Sequence, residues 1–324
     1  MLEHGGRLNA AAVRFGIEPQ RWLDLSTGIN PEGWPLVDVP AQAWRRLPED
    51  DDALESAASS CFGCSSILAT AGSQAAIQAL PKLRPQSRVD VLAPSYAEHA
   101  HAWSQAGHTV RSWDGQTLAD DVDVLVLVNP NNPTGTSRDP AQLLRWHDAL
   151  RARGGWLVVD EAYVDACPEL SLVAHASTPG LIVLRSLGKF FGLAGARIGF
   201  VIAEPRILRA LREHLGPWPI CGAARWLATQ ALRDTEWQFA ERRRLTRRSA
   251  RLAEILSRHG LPPSADTALF QWVPTPAATR IEHALGRCGV LVRSFSDPAG
   301  LRFGLPGAEG EWVRLDKALS QIRP

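Results

Sequence analysis

Tyrosine is almost absent from this chain: its 324 residues contain two, Tyr96 and Tyr163. Lysine is nearly as scarce. Lys82, Lys189 and Lys317 are three of 35 basic residues, so the other 32 are arginines. Chemistry that needs a phenol therefore has two candidates, and chemistry that needs a lysine amine has three. Five cysteines, Cys61, Cys64, Cys167, Cys221 and Cys288, form an odd and scattered set. That predicts reduced thiols rather than a disulfide framework. Cys61-Phe62-Gly63-Cys64 is a CxxC, but no second CxxC or HxxxH completes a tetrahedral zinc site. His99-Ala100-His101 reads as a solvated pair on a loop or helix start, and no metal site is expected.

Other absences narrow the field further. No apolar run nears the ~18 residues of a membrane helix. Met1 to Leu8 lack the basic-then-apolar order of a secretory signal, so a cytoplasmic protein is expected. A formal net charge of +1 gives no electrostatic case for nucleic acid or an anionic membrane as partner. Gly188-Lys189 looks like the end of a P-loop. However, Val183 stands where its first glycine belongs, and Phe190 replaces the Ser/Thr.

What is present is an ordinary globular balance, 45% hydrophobic and 21% charged, in a chain long enough for about two domains. A short helix is predicted near Leu8–Phe15, followed by a Gly/Pro-rich stretch. From about 50 to 205 the pattern alternates. Leu54–Cys61 and Ser73–Leu80 read as helices, the second opened by a capping residue. Val89–Ala93, Val122–Val128, Trp156–Val159, Ile182–Leu184 and Ile198–Ile202 read as buried strands. Apolar strands separated by helices predict an α/β fold with a mostly parallel sheet. Ala223 to His259 reads as one long arginine-rich helical stretch. Short strands and helices follow, predicting a smaller α+β domain. The expected division is an N-terminal segment 1–40 packing with the small domain and covering the substrate, a large domain 41–215, and a small domain 216–324.

Ligands of open α/β sheets bind at the carboxyl ends of the strands. Those ends carry Pro94-Ser95-Tyr96, then Asn129-Pro130-Asn131-Asn132-Pro133-Thr134-Gly135. Asp160-Glu161-Ala162-Tyr163 and Arg185-Ser186-Leu187-Gly188-Lys189 follow. Both tyrosines, an amide, a carboxylate and one of three lysines are thus predicted on one sheet edge. Each element alone is common, since an Asp after a strand usually caps a helix and NPTG is usually a turn. Their joint order is not explained by turns.

That order resembles the pyridoxal-phosphate enzymes of the aspartate aminotransferase fold, over about residues 20–305. The resemblance implies their fold: a seven-stranded-type sheet in a large cofactor-binding domain beside a smaller one. It implies pyridoxal 5'-phosphate as cofactor and Lys189 as the residue that holds it covalently. Reaching a neutral lysine amine at pH 7 costs roughly 4–5 kcal/mol, which burial near other cations reduces. Asp160 would pair with the ring nitrogen, and Tyr163 and Asn132 would reach the ring's phenolic oxygen. Tyr96 would stack on the ring. Gly72, Ser73 and Gln74 open a helix whose free N–H groups would take the phosphate, with Ser186 and Arg197. Lys189, Asp160 and Tyr163 are the candidate catalytic set.

Substrates of this fold are amino acids, so a carboxylate receptor is expected. Arg302, inside the apolar Leu301-Arg302-Phe303-Gly304, matches the family's carboxylate-binding arginine. A buried arginine needs an anionic partner. Arg293 is a second strand arginine nearby, which suggests a second anion on the substrate. His4-Gly5-Gly6, Asp24 to Pro31, and Trp44-Arg45-Arg46-Leu47-Pro48 together resemble the threonine-phosphate decarboxylases of the cobalamin pathway. That branch is closely similar to the histidinol-phosphate aminotransferases. In this likeness His4 and Asn30 would help hold a substrate phosphate, and the product would be 1-amino-2-propanol phosphate. Transamination of histidinol phosphate or an aromatic amino acid is the alternative. Leu47 stands where those aminotransferases usually carry a tyrosine that reaches the neighbouring subunit, which disfavours the alternative. A homodimer acting on a small phosphorylated amino acid is implied.

Overall fold

The computed structural model describes residues 4–322. The chain forms two compact units. The smaller comprises 1–32, 133–136 and 241–324, and the larger comprises 33–132 and 137–240. Residues 216–240 thus belong to the larger unit.

The smaller unit opens with helix α1 (Leu8–Phe15) and strand β1 (Leu23–Asp24). The larger unit then runs α2 (Ala41–Arg45), α3 (Ala53–Phe62), β2 (Ile67–Thr70), α4 (Gly72–Ala79), β3 (Arg88–Leu92), α5 (Glu98–Gln105), β4 (Thr109–Trp113) and β5 (Val124–Val128). It continues with α6 (Pro140–Arg151), β6 (Trp156–Asp160), β7 (Leu181–Ser186), β8 (Gly199–Ala203), α7 (Pro205–Leu215) and α8 (Gly222–Arg233). Helix α9 (Thr235–Arg258) contributes to both units. The smaller unit closes with β9 (Ala265–Thr267), β10 (Phe270–Pro274), α10 (Ala278–Arg287), β11 (Val290–Leu291), β12 (Arg293–Ser296), β13 (Ala299–Gly304) and α11 (Glu309–Ser320).

The larger sheet has seven strands in the order β2-β8-β7-β6-β5-β3-β4. Strands β4, β3, β5, β6 and β7 are parallel, while β8 lies antiparallel between β7 and β2. The mostly parallel α/β expectation holds. Val124, Val126, Ile182 and Leu184 share one buried face with Trp103 of α5 and Ile77 of α4. The alternate residues Leu125, Leu127, Val159 and Val183 are buried as well. Both faces are therefore covered, as a parallel sheet requires, and each large apolar side chain contributes ~1.5–3 kcal/mol. Asp52 caps α3 by accepting from Leu54 N, and Asp139 caps α6 by accepting from Ala141 N.

Three expectations need correction. The stretch 223–259 is two helices rather than one, because Asp234 interrupts it. Its Oδ1 accepts from Trp237 N and its Oδ2 from Trp34 Nε1, so it caps α9 and anchors Trp34 at once. Ser73 is not the cap of α4. That position is Ala71, which has no side-chain oxygen. The sheet also has two strands that the apolar pattern did not single out, β2 and β4, and these are its two edges.

In the smaller unit, β12-β13-β10-β9 form an antiparallel sheet, and β1 pairs in parallel with β11. Among the described residues, no helix is long and apolar enough to cross a membrane.

Candidate active site

All ten residues expected to meet the cofactor lie in the larger unit, at or just beyond one edge of its sheet. The pairs Val128↔Asp160 and Asp160↔Leu184 set the ends of β5, β6 and β7 side by side, with β3 next to β5. Because β8 is antiparallel, its first residue Gly199 meets both Ser186 and Thr70 on that same edge. Arg197 therefore emerges beside Gly72, Ser73 and Gln74. Tyr96 follows β3, Asn132 follows β5, Tyr163 follows β6, and Lys189 follows β7.

Asp160 is buried at the end of β6. Its Oδ1 accepts from Ala162 N at 3.0 Å, and its Oδ2 lies 3.0 Å from His99 Nε2. His99 is 2% exposed, so the reading of a solvated histidine pair is wrong for it. Only His101 of that pair faces solvent. The turn that leads into α5 explains this: His99 N donates to the Tyr96 carbonyl at 3.1 Å, and the two rings meet edge to face at 6.0 Å. A buried carboxylate held by an N–H and an imidazole is braced to face a cationic ring nitrogen.

Tyr163 is buried three residues beyond Asp160, and Lys189 Nζ lies 5.6 Å over its ring centre. Lys189 is partly buried, whereas Lys82 and Lys317 are exposed. Burial pushes the Tyr96 phenol up to about 12, helped by Glu98 and Asp160, so it remains a neutral donor. It donates to Gln74 Oε1 at 3.2 Å, and Gln74 Nε2 donates to Glu98 Oε2 at 2.9 Å. The Gln74 side chain is thus committed to orienting Tyr96, while its backbone sits in the first turn of α4.

The amino end of α4 meets the requirements of a phosphate cradle. Its cap residue offers no competing oxygen, and Gly72 adopts φ +73. A Cβ at Gly72 would lie 2.5 Å from Arg197 Nη2, so the missing side chain lets the guanidinium close on the helix end. Arg197 itself takes the left-handed φ 54, unusual for a non-glycine residue. A Cβ at Gly199 would lie 2.4 Å from Ser73 N, so glycine lets β8 and α4 touch. Ser95 Oγ is buried and lacks a hydrogen-bond partner among the described residues. Free N–H groups, a hydroxyl at Ser186 and an arginine make an anion site, and a braced carboxylate and a lysine complete a set that fits pyridoxal phosphate.

The expected substrate residues belong to the smaller unit. Arg293 and Arg302 are directly opposed on β12 and β13, so their side chains share one face. Arg302 is buried, donates to the Ser26 carbonyl, and lies 5.3 Å over the Phe270 ring. A cavity of about 320 Å³ brings His4 and Arg293 together with Arg7, Arg14 and Ser26. Arg14 is paired with Glu282 at 3.1 Å. Asn30 is not part of that lining. It is buried, and its amide donates to Glu241 Oε1 at 2.8 Å and accepts from Glu32 N at 3.1 Å.

Sequence reasoning missed two residues of the larger unit's edge, His99 and Glu98. A usable signal existed for His99. It lies three residues after Tyr96, the spacing at which a single turn brings two side chains together.

The family model described as aminotransferase class I and II matches residues 45–321. The threonine-phosphate decarboxylase of Pseudomonas aeruginosa is 55% identical over 322 residues, covering 98% of this chain and 97% of its own. That of a Sinorhizobium species is 42% identical over 331 residues, covering 99% of this chain and 98% of its own. The solved histidinol-phosphate aminotransferase of Clostridium acetobutylicum superposes with a TM-score of 0.81 at 20% identity, covering 93% of this chain and 99% of that one. At that identity the likeness is one of fold. Sequence match and sheet topology agree that this chain belongs to the class I and II aminotransferase family.

Proposed function

We propose that this chain decarboxylates L-threonine phosphate to 1-amino-2-propanol phosphate and carbon dioxide, for corrinoid assembly. The observation that carries the substrate class is the opposition of Arg293 and Arg302. Two guanidinium groups on one sheet face offer two charge-assisted contacts to an anionic substrate. Threonine phosphate offers two anions, a carboxylate and a phosphate. The names of the two curated relatives support the reaction.

Lys189 would hold the cofactor, Asp160 would keep a proton on its ring nitrogen, and Arg197 with the amino end of α4 would hold its phosphate. When bound, pyridoxal phosphate supplies an electron sink for the pair left on the substrate's Cα as the carboxylate departs. Arg302 and Arg293 would hold the two substrate anions and so orient the Cα–carboxylate bond. Lys189, once free, would deliver a proton to Cα in place of the lost carbon dioxide. His99 would keep the Asp160 carboxylate from turning away.

We place the enzyme in the cytoplasm as a homodimer. Trp44, Leu47 and Trp218, large apolar side chains exposed on the larger unit, support a second copy.

Competing substrates test the assignment. The purified protein is offered threonine phosphate and histidinol phosphate in separate reactions, each with 2-oxoglutarate as amino acceptor, and the products are identified by mass. Loss of 44 mass units from threonine phosphate, with nitrogen and phosphorus retained, is the expected result. Turnover of histidinol phosphate alone would overturn the assignment.

A further inference from the structure

A buried ion cluster behind the site has no part in the steps above. Arg185 is the penultimate residue of β7, and Glu161 follows the last residue of β6. Arg185 Nη1 lies 3.4 Å from Glu161 Oε2, and Nη2 donates to Asp165 Oδ1. Ser171 Oγ and Leu172 N each donate to the Glu161 carboxylate at 2.6 Å. The side chains of Arg185, Glu161 and Asp165 are 6%, 0% and 4% exposed. The Phe62 ring covers the guanidinium at 4.2 Å.

As a device for stability this cluster is poor. One cation faces two carboxylates, and Arg185 Nε has no hydrogen-bond acceptor among the described residues. Burial pushes the Glu161 carboxyl up to about 7, against the pull of Arg185. Apolar residues of similar size often hold a core as well as such a cluster does, or better.

Its position suggests another role. The β6–β7 ladder ends at the pair Asp160↔Leu184, and the last backbone link is Glu161 N to Leu184 O at 2.9 Å. Beyond that point the two segments separate. One carries Asp160 and Tyr163, and the other carries Ser186 and Lys189. Glu161 and Asp165 flank Tyr163 on the first segment. Arg185 lies four residues before Lys189 on the second.

We propose that Arg185 is a positioning residue for the reaction: by gripping Glu161 and Asp165 it fixes where Lys189 stands relative to Asp160 and Tyr163. The inference rests on the roles given above to Lys189 and Asp160. Misplacing a reacting group by about 1 Å can cost ~100-fold in rate. Arg293 and Arg302, assigned above to the substrate anions, are not part of the cluster, so KM is spared.

Two variants test it: R185K, and the charge-free triple variant E161Q/D165N/R185M. Three quantities are read: melting of the apoprotein, the pH midpoint of the lysine-bound cofactor's visible band, and kcat with KM for threonine phosphate. In the triple variant we expect apoprotein melting close to wild type and a band midpoint displaced by about one pH unit. We also expect kcat lower by ~100-fold, with KM within about threefold. R185K keeps the charge but loses the two-pronged grip, so it recovers less than about a tenth of the lost rate.

An unchanged band midpoint and kcat in the triple variant, with a normal wild-type band, would overturn this proposal alone. So would a loss of rate that only tracks a loss of apoprotein stability. If the triple variant does not fold, R185K decides: normal apoprotein melting with a displaced band supports the proposal, and an unmoved band overturns it. A wild-type protein with no lysine-dependent band sinks the parent reading, and this one with it.

Discussion

Asp160 and His99 form a buried pair, with Oδ2 3.0 Å from Nε2 and both side chains shielded from water. The other carboxylate oxygen is held by the Ala162 N–H. Removing the imidazole would leave one oxygen of a buried carboxylate without its partner. A hydrogen bond to a charged group contributes ~1.5–3 kcal/mol, so His99→Phe should lower kcat by about 10- to 100-fold. Steady-state rates with saturating cofactor check this. Unchanged kcat would remove His99 from the account.

Gly72 is where the backbone and Arg197 compete for one space. Gly72→Ala puts a Cβ 2.5 Å from the guanidinium and a side chain at φ +73. The conformation alone costs ~1–2 kcal/mol. The displaced arginine should weaken cofactor binding by ~10-fold or more. Fluorescence titration of the apoprotein with pyridoxal phosphate reads this directly. Affinity equal to wild type would mean that Arg197 does not hold the phosphate.

Arg293 is assigned to one substrate anion and Arg302 to the other. Arg293→Ala should raise KM for threonine phosphate by ~10- to 100-fold, the loss of one charge-assisted contact. It should leave the weak binding of unphosphorylated threonine nearly unchanged. Equal losses for both ligands would assign Arg293 to the carboxylate or to the fold.

Glu161 makes stability depend on pH in an unusual direction. Its folded carboxyl is up at about 7, against an ordinary 4.5. A raised acid favours the protonated native state, so its contribution is complete below about 4.5 and fades as pH rises through about 7. Glu161→Gln removes that proton exchange. Urea midpoints of wild-type and E161Q apoprotein between pH 5 and 8 should therefore diverge, with the wild type declining more steeply. Parallel curves would show that Glu161 does not titrate in that range.

The sequence made much of this legible because the sheet carries its chemistry at strand ends. Val122–Val128 and Ile182–Leu184 announce themselves as apolar runs, and each is followed by its polar motif. Where the reading failed, the cause was local. β4, at an edge of the sheet, buries only Trp113 and shows no apolar run. Asp234 sits inside a continuous helical texture, and only its two simultaneous hydrogen bonds reveal a cap. His99 looks solvated beside His101 because sequence adjacency hides that a helix turns the two to different sides. The Arg185 cluster was invisible because 32 arginines offer no way to tell a buried one from the rest.

Carbon dioxide release is the measurement closest to the central claim. The protein is reconstituted with pyridoxal phosphate and given carboxyl-labelled threonine phosphate, with and without 2-oxoglutarate. Label should leave as carbon dioxide at the same rate in both, and Lys189→Ala should abolish it. Turnover that needs 2-oxoglutarate and keeps the label in the product would contradict the assignment.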